Sequence, residues 1–186
     1  MFSTVCTGAL KGVSACLVQV EVDISPGLPG FELVGHVGGE VKEARERVRV
    51  ALKNAGISLP PMRVTVNLSP ADMLKEGTGF DLPIAVGILM SMGILPPNAV
   101  SGILLSGELS LGGEVKRVKG ILPIVREASR QGIKKCIVPE ENAPEGAVIS
   151  DMEVVGIECL NQLIPYLKKK EDKRHEMILP AKMPSE

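Results

Sequence analysis

Aromatic side chains are almost missing from this sequence: its 186 residues include no Trp, one Tyr and three Phe, 2% in all. Proteins that read single-stranded nucleic acid by base stacking need several aromatic platforms, and this chain cannot supply them in number. An excess of charge is lacking too. Lys and Arg total 21 against 22 Asp and Glu, so the composition offers no broad electrostatic footprint for DNA or an anionic membrane. The two histidines, His36 and His175, lie far apart, and no metal site is expected. The four cysteines contain no C-x-x-C pair, which removes zinc ribbons and thioredoxin-type redox motifs. The longest apolar run, Leu82 to Met90, is far short of a membrane span. The N-terminus has no cationic leader, and its apolar stretch is broken by Gln19, Glu21 and Asp23. A cytoplasmic location without membrane contact is therefore the expectation. No Walker A pattern occurs, so the chain by itself is not expected to hydrolyse ATP.

What is present is a folding composition, 45% hydrophobic and 23% charged, with a core to be built from Val, Ile, Leu, Ala and Met. Phe2 to Ser25 reads as a long hairpin whose return strand is rich in β-branched residues. With Leu10-Lys11-Gly12 as its turn, Cys6 and Cys16 would face each other across the strands; the alternative is two small buried hydrophobes in a reducing cytosol. Phe31–Val34 reads as a short strand. A helix follows, with Val41, Ala44, Val48, Ala51, Leu52 and Ala55 on one face and charge elsewhere, including a Glu43–Arg47 i,i+4 pair. Met62–Leu68 is a strand. Asp81 is the expected N-cap of a helix through Met92, which is apolar all round and so expected to be buried. Strands are expected at Ile103–Leu105, Glu114–Val118, Lys135–Val138 and Glu153–Ile157, with helices at Ile121–Arg130 and Leu160–Lys168. The sum is a mixed α/β domain. After it, the charge run Lys168 to Glu176 reads as a solvated linker or as a basic contact to a partner.

Three glycine-rich turns, 35–39, 75–81 and 107–113, invite comparison with phosphate cradles. None matches a dinucleotide-binding or Walker A pattern, and the third is most simply a β-turn. Ser69, Thr78 and Ser110 lie in or beside turns. With histidine nearly absent, the only nucleophile form left is a hydroxyl–lysine dyad, for which Lys75, Lys116 and Lys119 are candidates.

Several segments carry a resemblance: Pro26–Gly35, Val41–Arg49, Val66–Asp72, Lys75–Ala85 and Gly107–Leu111. Together and in order they closely resemble the N-terminal domain of the magnesium-chelatase-like AAA+ ATPases of the YifB/ComM type, over roughly residues 1–168. The resemblance implies an α/β (α+β) Lon proteolytic-domain-like two-layer fold of the ribosomal-protein-S5 domain 2-like type, a mixed sheet with packed helices. It implies a Lon-like non-catalytic domain at 1–168 and a charged linker or tail at 169–186. The family's AAA+ motor lies outside these residues, so the chain is expected to be an excised N-terminal domain or a shortened member. Its partner would be that motor, in a hexamer that promotes DNA branch migration during natural transformation. ATP and magnesium are expected only in the motor, with no cofactor or metal in this chain.

Against the Lon active-site motifs, Gly79 stands at the serine position and Leu122 at the lysine position. Neither side chain can attack a carbonyl or move a proton. Catalysis is therefore not expected of this chain. Lys75, Glu76, Thr78, Asp81 and Glu108 are the candidates for interaction in the cleft that remains. His36-Val37-Gly38-Gly39 replaces the family's more usual Leu-Pro turn. The alternative readings are a residual Ser/Thr–Lys peptidase, or a direct DNA-binding module like the Lon-like domain of RadA.

Overall fold

The structure is a computed structural model that describes residues 1–185. Strands β1 (Phe2–Lys11) and β2 (Ser14–Ser25) form the expected hairpin, but the register pairs Lys11 with Ser14. The loop is thus Gly12-Val13, with Gly12 in the left-handed region that a tight two-residue turn requires. This places Cys6 opposite Gln19 and Cys16 opposite Ala9. The two thiols do not face each other, and all four cysteines are free.

From β2 the chain passes through β3 (Gly30–Val34) into two helical segments, α1 (Gly39–Lys42) and α2 (Ala44–Asn54). These replace the single helix read from the sequence, with Glu43 at the break. Their apolar stripe of Val41, Ala44, Val48, Ala51 and Leu52 is buried as its periodicity requires. Next come β4 (Arg63–Ser69) and α3 (Asp81–Ser91), all eleven residues of which are buried. α3 approaches the hairpin so closely that a Cβ on Gly87 would lie 2.6 Å from Val22. Polar side chains fasten the contact: Ser3 Oγ donates to the Gly87 carbonyl at 2.7 Å and Ser91 Oγ to that of Val22 at 3.1 Å.

The second half supplies β5 (Ile103–Leu105), a small hairpin of β6 (Glu108–Leu109) and β7 (Val115–Lys116), α4 (Ile121–Arg130) and β8 (Lys135–Pro139). A short α5 (Ala143–Gly146), β9 (Glu153–Ile157) and α6 (Leu160–Lys168) complete it. The expected strand 114–118 is only two residues long, because Gly113 closes a turn on Ser110 and Val118 is tied instead to the Asn142 side chain.

The seven-stranded sheet runs β3-β4-β2-β1-β5-β8-β9. β4, β2 and β1 are antiparallel neighbours, and every other pair is parallel. One face carries the main core with α2, α3 and α6. Alternation along the strands sends Leu104, Cys136, Val138 and Val154 to the other face, where α4 and α5 cover them. The mixed α/β class is as the sequence indicates. To the two layers expected, α4 and α5 add a third, α4 over β2 and β1 and α5 over β9.

Residues 169–185 are mostly exposed, as a charged tail would be, but two contacts tie them to the domain. Arg174, inside a 3-10 turn over Glu171–Glu176, is 4% exposed. It donates to the carbonyls of Ala99, Leu167 and Lys169, and its guanidinium lies 5.5 Å from the centre of the Tyr166 ring. The physical reason is that Arg, unlike its charged neighbours, can bury a planar fork when carbonyls and an aromatic face meet it. Further on, Ala181 N–H donates to the Val154 carbonyl at 2.7 Å, on the outer edge of β9.

Candidate functional site: a buttressed cleft beside the buried helix

The loop before α3 opens onto a cleft of about 520 Å³. One wall is Gly8 to Leu10 of β1; the others come from residues 76–80, Ser106, Glu108 and the segment Arg117–Lys119. Backbone bonds set the loop against the sheet: Gly107 N–H donates to the Gly79 carbonyl at 3.0 Å, and Leu82 N–H to that of Gly107 at 3.0 Å.

Of the residues proposed from sequence, Glu76, Thr78 and Glu108 line this cleft. Asp81 does not. It is the first helical residue of α3 rather than its N-cap, and it is fully buried. Its carboxylate receives Arg47 from α2 through two bonds, Nε at 2.7 Å and Nη2 at 3.1 Å, and the Leu109 N–H at 3.0 Å. Burial pushes the Asp81 carboxyl up to about 6, against the lowering pull of Arg47 and the Leu109 amide. The pair joins α2, α3 and β6 beneath the cleft. Arg47 was legible only as part of the helix's charged face and as a partner of Glu43, which it does reach at 3.4 Å.

Lys75 also turns away from the cleft. It is buried, and its ammonium donates to the carbonyls of Gly35 and Pro70. Burial lowers its pKa. Its backbone joins the same loops: Lys75 N–H donates to His36 O at 3.0 Å, and Gly38 N–H to Lys75 O at 2.9 Å. The loop is tight enough that a Cβ on Gly35 would overlap the Leu68 carbonyl, and His36 itself takes a positive φ of 60°.

These contacts correct the phosphate-cradle reading of the first two glycine turns. The Gly38 amide is committed to Lys75, and the Gly77 amide already donates to the chain's own Glu40 carboxylate at 3.1 Å. The third turn is the β-turn it resembled, with Ser110 Oγ accepting from Glu114 N–H.

Among the dyad candidates, Thr78 and Lys119 share the cleft. Ser69 lies on β4 and Ser110 in the β6–β7 turn, while the exposed Lys116 is paired with Glu114. Gly79 lines the cleft, and a Cβ there would sit 2.7 Å from Ser106 Oγ. Ser106 is 1% exposed and carried no sequence signal, since its place beside Gly79 depends on where β5 ends. Leu122 sits half-buried on α4, outside the cleft lining. Among the described residues no cluster of three or more His, Cys, Asp or Glu could hold a metal ion. Nor is any helix among the described residues long and apolar enough to cross a membrane.

Fold and cleft together define a mixed α/β domain with a braced surface cleft that Gly79, Thr78 and Lys119 line. The family model described as subunit ChlI of Mg-chelatase matches residues 20–142, and the chain belongs to that family. It is 40% identical to the competence protein ComM of Haemophilus influenzae over 163 residues, 88% of this chain and 32% of that protein. Against the uncharacterized protein YifB of Escherichia coli it is 40% identical over 168 residues, 90% of this chain and 33% of that one. The DNA repair protein RadA of Listeria monocytogenes is more distant, 26% identical over 156 residues, 84% of this chain and 34% of RadA. The chain spans about a third of the length of these curated relatives.

Proposed function

We propose that this chain is a Lon-like, non-catalytic scaffold module that assembles around, or regulates, a magnesium-chelatase-type AAA+ motor working on DNA. The observation that carries the reading is the state of the cleft. Its walls are intact and braced by the buried Arg47–Asp81 pair, yet the Lon-type serine position is Gly79, whose Cβ direction is filled by Ser106 Oγ at 2.7 Å. A fold kept with its cleft but with glycine at the Lon-type serine position suits a structural role. The names of ComM and RadA, a competence protein and a DNA repair protein, support the DNA side of it. ATP and magnesium would belong to the motor, and hexamer assembly and branch migration to the longer protein. The test is a full-length relative such as ComM, prepared with and without the matching region. Hexamer formation or DNA-stimulated ATP hydrolysis is expected to fall by about tenfold on deletion. Unchanged assembly, DNA binding and motor activity would defeat the proposal.

A second reading has one observation in its favour: Thr78 and Lys119 line the same cleft. A residual Thr–Lys peptidase would cleave an unstructured protein such as casein, and Thr78→Ala would abolish that cleavage. Thr78-dependent cleavage overturns the scaffold reading.

A further inference from the structure

The two edges of the sheet are treated differently. At one, the outward carbonyl of Val154 on β9 is taken by Ala181 from the chain's own C-terminal segment. At the other edge stands β3, which among the described residues pairs only with β4, in parallel. Gly30 N–H donates to the Met62 carbonyl, so by the alternation of a strand Gly30, Glu32 and Val34 turn their backbone to β4. Phe31 and Leu33 therefore point their N–H and C=O groups away from the sheet. On that outward side Arg45 Nη1 makes a long 3.5 Å contact to the Phe31 carbonyl.

Beside this edge runs a groove of about 770 Å³ between β3, α1–α2 and the stretch Leu59–Met62. Its floor is apolar, with Phe31, Leu59, Met62 and Val64; its rim carries Lys42, Arg45 and Arg49, exposed and spaced three and four residues apart along the helical segments. The two acidic rim residues are engaged, Glu43 by Arg47 at 3.4 Å and Glu46 by Arg49 at 2.8 Å, so Lys42 and Arg45 are the rim cations that no carboxylate of the described residues pairs with.

We propose that this groove binds an extended acidic polypeptide segment of a partner, which adds as a strand to the outer edge of β3. Strand addition gives the outward Phe31 and Leu33 groups the partners they lack within the sheet. Alternate side chains of the added strand then fall on the apolar floor. The helix cations rim that same side, so a carboxylate carried past the floor on an apolar stem, as in Glu, is the side chain that fits. The intervening side chains turn to the opposite face of the sheet. Five residues of β3 span roughly 17 Å, enough to hold a short strand. The site lies away from the Thr78–Gly79 cleft and is independent of whether that cleft has chemistry.

The probe is an acetylated, amidated peptide of about eight residues alternating Glu and Val, roughly the reach of one strand. Binding to the whole chain is followed by fluorescence anisotropy at about 50 mM salt, where exposed charge is least screened. Saturable binding is expected, about tenfold or more tighter than for the Lys/Val counterpart. It should be weakened about tenfold by the double variant Arg45→Glu, Arg49→Glu. Both side chains are exposed, so circular dichroism of that variant should match the parent. Methylating alternate backbone nitrogens of the peptide should also abolish binding, and amide exchange at Phe31 and Leu33 should slow in the complex. The proposal is overturned by absence of saturable binding, by equal affinity of the N-methylated peptide, or by indifference to the double variant. Tighter binding of an oligothymidylate of similar length than of the peptide overturns it in favour of single-stranded DNA.

Discussion

Asp81 is a buried carboxylate whose charge is answered by one guanidinium and one amide. Its folded carboxyl holds a proton up to about 6, against 3.8 as the ordinary value. The fold therefore binds more protons than the unfolded chain between those two pH values. The stability this group contributes is full below the lower value and is lost as pH rises through the upper one. At neutral pH Arg47 is what makes the buried charge tolerable. Arg47→Met leaves the carboxylate without its cation, and urea unfolding should show a loss of about 3 kcal/mol at pH 8. The loss should shrink toward pH 5, where Asp81 in the variant can take up a proton. An equal loss at both pH values would mean that Arg47 acts through packing alone. Burial likewise pushes the Cys6 thiol up to about 11 and that of Cys136 up to about 12, which suits side chains packed under α4 as small hydrophobes. The sequence left that choice open, and it was the hairpin register that decided it.

Between elements, glycine marks the closest approaches. β1 meets α4 at Gly8, where a Cβ would lie 2.6 Å from Ile124 Cγ2. Gly8→Ala should destabilise by about 1–3 kcal/mol through overpacking. Leucine lacks the Cβ branch that Gly8→Ala would strike, so Ile124→Leu in the same chain should restore about 1 kcal/mol. Strictly additive effects in that double-mutant cycle would remove the contact as the cause. The elements themselves were largely legible: α3 from its continuous apolar run, α4 and α6 from their periodic stripes, and β9 from its β-branched core. The short pieces were not. The 114–118 segment had strand composition, but Val118 answers to Asn142 across 24 residues, and no local pattern records that bond.

For the molecule as a whole, closure of the sheet differs at its two ends. The C-terminal segment delivers Arg174 to three carbonyls and Ala181 to β9. Removing residues 169–186 leaves the carbonyls of Ala99 and Leu167 without that donor and bares the β9 edge. The thermal midpoint should fall by about 5–10 °C. Light scattering on warming should also show association through the freed edge. An unchanged midpoint would mean that the segment rests on the domain without stabilising it. The β3 end has no such cover from the described residues, which is where a partner strand is proposed.

Sequence by itself determined the α/β class, the order of the long elements and the glycine at position 79, because periodicity and residue identity are local properties. Family membership followed from the same string of residues. Tertiary structure decided the rest: that Asp81 and Lys75 brace loops rather than line the cleft, that Thr78 and Lys119 share it, and that a charged C-terminal run is docked. Each of these depends on which carbonyl, guanidinium or strand edge arrives from a distant part of the chain. Burial of a charge is set by those arrivals, and the scarcity of aromatics in the composition says nothing about them.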